Sequence, residues 1–464
     1  MNISPRTYEA YKLLHDGVLA MAHAEMAGFR VDIEYVERKK AFLIKKMKYL
    51  EDQFKETNFF KHWQHSTGGK VNIHSNIQLA HYLYKVKKLK IENTTDTGQG
   101  KTDEEALKQL NIPELNMLLE TTRFKKPWDV LNGFSKEQVD GIIHPFYNLH
   151  FARSFRSSSD SPNFQNIPIK DEVVMKLCRK ALFPRVGHQL FEIDYSGIEV
   201  RINACINKDS NLIKYVKNPK SDMHADIAKQ IFKLPNFDKK IPEHYILRQA
   251  TKNGFVFPEF YGDYYKNCAE NVACSWGKLP KGRFHAGEGI PMPEGTLGDH
   301  FIDIGIPSLR SFENHLLTIE KDLWNKRFPE YKQWKDRNWT TYKKKGYIDL
   351  LSGFRCGGVM DKKQINNYPG QGAAFHCLLW SFIELDKVRI KEGWDSRLIG
   401  QIHDSIIMDI NPDELEHIAK VARRITCVDL PKAWKWIIVP LDVEMAIGEV
   451  DGSWADKVDY KLEN

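Results

Sequence analysis

What this 464-residue sequence lacks narrows it first. No apolar run approaches the roughly 18–20 residues that cross a bilayer. The start, MNISPRTYEAYKLLHDGVLAMAHAEMAGF, has no basic-then-apolar leader. The seven cysteines are scattered, odd in number and form no CxxC pair, which excludes a disulfide framework and points to reduced thiols in the cytoplasm. Cys268, Cys274 and His285 lie close together in sequence, but their spacing fits no standard zinc finger and supplies no fourth ligand. Internal repeats and low-complexity tracts are absent, so solenoids are excluded. Strong charge of one sign is also missing: 68 basic against 61 acidic residues leave +7, which permits a polyanionic partner without diagnosing one. What is present, 42% hydrophobic and 12% aromatic residues, builds sizeable cores over more than one domain.

Two strings stand out against that background. DYSGIEVR (Asp194–Arg201) and QIHDSIIMD (Gln401–Asp409) each place an aspartate at the end of an apolar, β-prone run, 210 positions apart. The segment LFEIDYSGIEVRI reads as a strand turning into a helix near Ser196-Gly197, and Leu398–Met408 reads as a hairpin with Asp404 at its turn. Taken alone, each aspartate is the common cap or turn residue. Brought together, two strand-end carboxylates make an oxygen-rich seat for hard divalent cations, a device for in-line attack at phosphorus.

A third string is RQATKNGFVFPEFYGDYY (Arg248–Tyr265). Arg248 and Lys252 are four apart, one above the other on a helix, and can grip a polyphosphate. Phe257 and Tyr261 repeat that spacing and offer a flat apolar surface to a base or sugar. Further upstream, six of the eleven residues Arg38–Lys48 are basic, giving an amphipathic helix with a cationic face.

In these strings the chain resembles a family A (DNA polymerase I-type) DNA polymerase of the bacteriophage kind. DYSGIEVR resembles the family's motif A, Arg248 to Gly262 its motif B, and IHDS its motif C. Other matches come in order. SFRSSSDSPNFQNIP is similar to the segment ahead of motif A, with Arg156 at its arginine. DMHADIAKQIF carries His224 at a phosphate-binding position, and NYPGQGAAFH carries Asn367 and Gln371. EMAGFRVD and SNIQLAHYL look like the thumb.

The resemblance implies an α+β right-hand fold: thumb over 1–141, palm over 142–201 and 346–464 with an antiparallel sheet, and fingers over 202–345. It implies template-directed DNA synthesis from dNTPs on primer-template DNA. Asp194 and Asp404, with the carbonyl of Tyr195, would hold two Mg²⁺ ions, or Mn²⁺ in their place. Arg248, Lys252 and His224 would meet the triphosphate, with Lys252 protonating the leaving group. Glu199 and Tyr261 would exclude a 2′-hydroxyl, and Phe257 would pack on the nucleotide. Arg156, Arg201, His403, Lys363, Asn367 and Gln371 would hold the duplex.

Several features depart from the family. Lys252 to Phe257 is a five-residue step where four is usual, so a bulge or kink at Gly254–Pro258 is expected, and either Phe255 or Phe257 could face the nucleotide. Ser405 stands where many members carry glutamate, and Lys363 where arginine is usual. The proofreading exonuclease domain is expected to be absent, with a separately encoded exonuclease or other replication protein as an open partner. The segment from Cys268 to about Pro307 has no reading. Rival classes are a single-subunit RNA polymerase, opposed by Glu199, and a catalytically silent nucleic-acid-binding protein, opposed by the joint presence of Asp194, Asp404, Arg248 and Lys252.

Overall fold

A computed structural model of the chain describes residues 5–91, 94–95, 98–168 and 171–462. Helix α1 (Tyr8–Ala27) is capped by Thr7, whose hydroxyl oxygen accepts from the Ala10 amide. Its small residues let it lie close to its neighbours: a Cβ on Gly17 would stand 3.0 Å from Leu379. Ala10, Leu13, Ala20, Met21 and Ala24 are buried in the same core as the central sheet. The first helix, expected in the thumb, therefore packs into the core that holds the central sheet. The reason is its small-residue face, which also brings His23 within 2.6 Å of Asp386.

The thumb-like part begins after it. Helix α2 (Ile33–Glu56) is capped by Asp32 and packs along α3 (Leu115–Glu137). The cationic stretch Arg38–Lys48 lies within α2, where Lys39 covers the Tyr35 and Phe42 rings. A separate aromatic core of Phe54, Phe59, Phe60, Trp63 and Tyr82 fills the far end.

Five antiparallel strands form the central sheet. Strand β1 (Gln189–Tyr195) leads into helix α4 (Ile198–Asn207) through Gly197, whose φ of +58° suits glycine. Helices α5 (Met223–Ile231), α6 (Pro242–Thr251), the short α7 (Phe257–Phe260) and α8 (Pro329–Lys345) follow, and Gly346 closes α8 in the left-handed region. Helix α9 (Lys362–Glu392) then crosses behind the sheet, and β2 (Arg397–Ile402), β3 (Ser405–Ile410), β4 (Val443–Ile447) and β5 (Val458–Tyr460) complete it in the order β5-β4-β1-β3-β2. Alternation along β1 sends Phe191, Ile193 and Tyr195 into the core and Glu192 and Asp194 to the other face. Tyr195 ends that inner row with its hydroxyl 2.7 Å from Ser381 on α9.

Helix α9 starts earlier than its proline suggests. A helix after Gln371 is what the sequence leads one to expect, yet the helix runs unbroken through Pro369. Asp361 and Gln364 form a reciprocal capping box at its start. Pro369 cannot donate to the Ile365 carbonyl, and the side-chain amide of Asn338 on α8 takes that carbonyl at 2.8 Å.

The uninterpreted segment around 268–307 is an ordered part of the fingers-like region. Leu279, Phe284, Ile290, Leu297, Phe301 and Ile306 are buried there. His300 donates to the Phe232 carbonyl and His315 to the Ile231 carbonyl, so the region is tied to the end of α5. Among the described residues no helix is long and apolar enough to cross a membrane.

Candidate active site

Strands β1 and β3 pair antiparallel with Ser405 opposite Asp194, and the Tyr195 amide donates to the Asp404 carbonyl at 3.2 Å. Residues 210 positions apart thus meet at one end of the sheet. Asp404 occupies the two-residue turn between β2 and β3, where His403 takes a φ of +49°. The tight turn presents the acid beside Asp194. Confinement in the cleft, and then the carboxylates of Asp404, Glu192 and Glu444, push the Asp194 carboxyl up to about 7, although part of its surface faces solvent. Burial also raises Asp404, with Arg156 and Lys252 pulling it back down.

This crowding of negative charge is the condition a bound divalent cation would relieve. Two carboxylates form a hard oxygen set suited to Mg²⁺ or Mn²⁺. Among the described residues there is no cluster of three or more His, Cys, Asp or Glu side chains that could hold a metal, so Cys268, Cys274 and His285 do not assemble a zinc site. Cys268 instead lies against the Glu259 carboxylate at 3.6 Å.

Glu199 projects from the first turn of α4, and the Tyr261 hydroxyl donates to it in a short hydrogen bond. Gln371 on α9 also bonds that hydroxyl. Burial, and then Asp404, raise the Glu199 carboxyl. Arg156 sits between the two acids, 3.8 Å from Glu199 and 3.9 Å from Asp404.

The five-residue step from Lys252 is a π-helical turn over Lys252–Val256, closed by the Phe257 amide donating to the Lys252 carbonyl. One residue is looped into the helix, so Phe257 and Tyr261 regain the face that Arg248 and Lys252 set. Phe255 is fully buried, whereas Phe257 stacks on Tyr261 at 6.0 Å and meets the His224 ring edge-on at 5.6 Å. Of the two phenylalanines, Phe257 is the one turned toward the site. The Lys252 ammonium lies 5.5 Å from its ring. Gly254 permits the wide turn: a Cβ there would stand 2.7 Å from Val272. Gly262, at φ +93°, ends the segment.

His224 stands in the first turn of α5, whose cap is Asp222. Burial, and then Arg248 and Lys252, hold its imidazole down at about 3, so it stays neutral. Its Nδ1 is buried without a hydrogen-bond partner. Arg248 is held by Asp222 at 2.9 Å, an acid the sequence reading did not single out.

The duplex-holding set divides. Arg156, His403, Asn367 and Gln371 come to the cleft around the two aspartates or along α9. Lys363 forms a 3.0 Å ion pair with Asp263, just beyond Gly262. Arg201 is the exception. Its guanidinium donates through Nε and Nη1 to the carbonyls of Ser196, Val216 and Pro440, so three of its five N–H donors tie it to the fold. Partial burial beside a turn, a helix end and a loop carbonyl accounts for that.

Two acids were missed. Glu444 on β4 lies directly opposite Asp194, and Glu192 accepts from Ser405, Trp454 and Lys457. Cross-strand register placed them, and only Glu192 carried a signal, its spacing of two from Asp194 along one strand face.

Five antiparallel strands with helices packed on one side, and a cleft walled by helices on the other, form a right-hand fold with paired acids at its base. The profile of DNA polymerase family A matches residues 37–278, just over half the chain, and the protein belongs to that family. Among curated relatives it is 25% identical over 449 residues to the thermostable DNA polymerase I of Thermus thermophilus, covering 92% of this chain and 46% of that protein. It is 25% identical over 448 residues to DNA polymerase I of Pseudomonas aeruginosa, covering 93% and 43%. The chain therefore spans a little under half the length of these bacterial relatives. The fold matches the POL domain of Pol1 from M. smegmatis, a complex with DNA primer-template and dNTP, with a TM-score of 0.74, 22% identity, and coverage of 96% of this chain and 71% of that one.

Proposed function

We propose that the chain catalyses template-directed addition of deoxynucleotides to a primer 3′-hydroxyl by two-metal-ion nucleotidyl transfer. The observation that carries this reading is the apposition of Asp194 and Asp404 at one end of a pairing strand register, facing Lys252, Arg248 and His224. Asp194, Asp404 and the Tyr195 carbonyl would hold the ions. Bound there, divalent ions would activate the attacking hydroxyl and neutralise the leaving pyrophosphate.

The rest falls to the chain's own groups. Arg248 and Lys252 carry the positive charge that draws the triphosphate in, and the unpartnered Nδ1 of neutral His224, in its Nδ1–H tautomer, would donate to a phosphate oxygen. Lys252 is the group placed to give a proton to the departing phosphate oxygen. The Glu199–Tyr261 pair occupies the space where a ribose 2′-hydroxyl would sit, and Phe257 gives the sugar and base an apolar floor. Arg156, Asn367 and Gln371 would contact minor-groove acceptors common to all base pairs, which tests shape without reading sequence. The proposed division is a thumb from α2 to about 141, a palm of α1, 142–201 and 346–464, and fingers over 202–345.

Primer extension tests the reading. Incorporation of dNTPs with Mg²⁺ onto a matched primer, and little of rNTPs, is the expected result. Preference for rNTPs would favour the RNA polymerase reading, and binding without incorporation the silent one.

A further inference from the structure

Behind the nucleotide-facing helix lies a buried ionisable cluster that the proposed chemistry does not use. Glu259 on α7 is fully buried. Its Oε2 accepts from the Trp324 indole at 2.8 Å, and its Oε1 lies 3.6 Å from the Cys268 thiol. Lys335 on α8, also buried, donates to the Glu259 backbone carbonyl at 3.2 Å and stands 3.3 Å from the Trp324 ring centre. Glu320, Asp336 and Lys362 are the other charges that act on the cluster. Burial lifts the Glu259 carboxyl and lowers the Lys335 ammonium.

Such a cluster is an expensive way to fill a core, because hydrophobic residues of the same volume often do as well or better. What a buried hydrogen-bonded pair supplies that methyl groups do not is direction. Direction is what α7 needs. It is four residues long and follows a π turn, so little of its own backbone bonding fixes its rotation. At about 100° per residue, Glu259 points away from the face that carries Phe257 and Tyr261. Trp324 and Lys335 therefore hold the helix from behind while Tyr261 reaches Glu199 in front.

We infer that Glu259, gripped by Trp324 and Lys335, is a positioning residue that sets the rotation of the nucleotide-facing helix and thereby the sugar selectivity of the Tyr261–Glu199 pair. The inference rests on the polymerase reading above. Rotation of this helix moves the Tyr261 hydroxyl relative to Glu199, so loss of the grip is expressed at the sugar rather than only in stability.

The test is steady-state incorporation of dNTP and rNTP by the full chain, with melting temperature measured alongside. Glu259→Leu and Trp324→Phe should each raise the rNTP/dNTP incorporation ratio about tenfold and raise the dNTP KM, with kcat at saturating dNTP little changed. Glu259→Gln, which keeps an acceptor for the indole, should restore selectivity to near wild type. Wild-type selectivity in a folded Glu259→Leu overturns the inference. Equal impairment of Glu259→Gln overturns it too, since the directional acceptor would then not be what matters. If Glu259→Leu does not fold, Trp324→Phe decides by the same ratio. Absence of incorporation by the wild-type chain defeats the polymerase reading itself, whereas wild-type extension with an unshifted ratio in the variants defeats only this inference.

Discussion

Asp194 carries more weight than any other side chain, and its surroundings explain why. Burial, and then the carboxylates of Asp404, Glu192 and Glu444, raise its carboxyl to about 7. Asp194→Ala or Asp404→Ala should reduce nucleotide addition by at least about a thousandfold while leaving primer-template affinity within a few-fold, read by single-turnover extension and by titration of labelled DNA. Glu199→Ala removes the acceptor for the Tyr261 hydroxyl, so ribonucleotide incorporation should rise; an unchanged ratio of rNTP to dNTP use would refute the steric role. At this scale much was legible from sequence. The two aspartates stand at the ends of apolar runs and Tyr261 four residues from Phe257, whereas Glu199 stands out only through the family resemblance; the structure brings them to one cleft. The structural ties of Arg201 were not legible, because the sequence contains nothing to say that the carbonyls of Ser196, Val216 and Pro440 would take its Nε and Nη1 donors. Glu444 was invisible for a related reason: its place beside Asp194 depends on the register of β4 against β1, a non-local fact.

Among the elements, the π turn over Lys252–Val256 answers the question that spacing alone had posed. An inserted residue in a helix has to go somewhere, and Gly254 lets it go toward Val272 without a clash. Gly254→Ala should destabilise the chain by about 1–3 kcal/mol through overpacking, measured by denaturant unfolding, and should disturb nucleotide KM through Phe257. The insertion was visible in the count from Lys252 to Phe257; which phenylalanine faces the site was not, because both rings are plausible core residues until the helix geometry is known. The start of α9, ahead of the expected Gln371, is a similar case. A proline ordinarily ends a helix, and only the tertiary contact from Asn338 makes its interior position tolerable.

An electrostatic clasp joins two further elements. Asp171 caps the helix Glu172–Arg179 and pairs with Arg123 on α3. The Arg123 hydrogen bond holds the Asp171 carboxyl below its ordinary 3.8. Its folded value lies under its unfolded one, so the stabilisation is complete above about pH 4 and fades as pH falls through the folded value. Asp171→Asn keeps the cap and removes the charge. The variant should be less stable than wild type by about 1 kcal/mol at pH 7, and the difference in urea midpoint should shrink at pH 3.

For the molecule as a whole, charge would decide how DNA is met on the polymerase reading. The net +7 is modest, and the lysines and arginine of α2, together with Arg156, Lys252 and Arg248, would supply the phosphate contacts. Primer-template affinity should fall steeply with salt, log–log with a slope of several; for a protein with about 6–10 phosphate contacts the loss is on the order of 10³–10⁵ between 50 and 200 mM. A flat response, measured by fluorescence anisotropy, would refute the electrostatic account. The right-hand architecture was readable from ordered motifs, yet the packing of α1 into the core of the central sheet was not, since a helix of small residues carries no label of its partner.

The strand register that joins β1 to β3 also fixes when the site can exist. Every residue of the fingers-like region is threaded between those two strands, so their pairing closes a loop of some two hundred residues and belongs to the slowest class of contacts a chain makes. As the chain is synthesised, β1 waits without its partner until residues beyond 410 have emerged, and its acid-bearing face has no second acid to meet. The paired-acid site therefore arrives late and all at once, with the assembly of the sheet, and a fragment ending before β3 lacks the pair however well its helices fold.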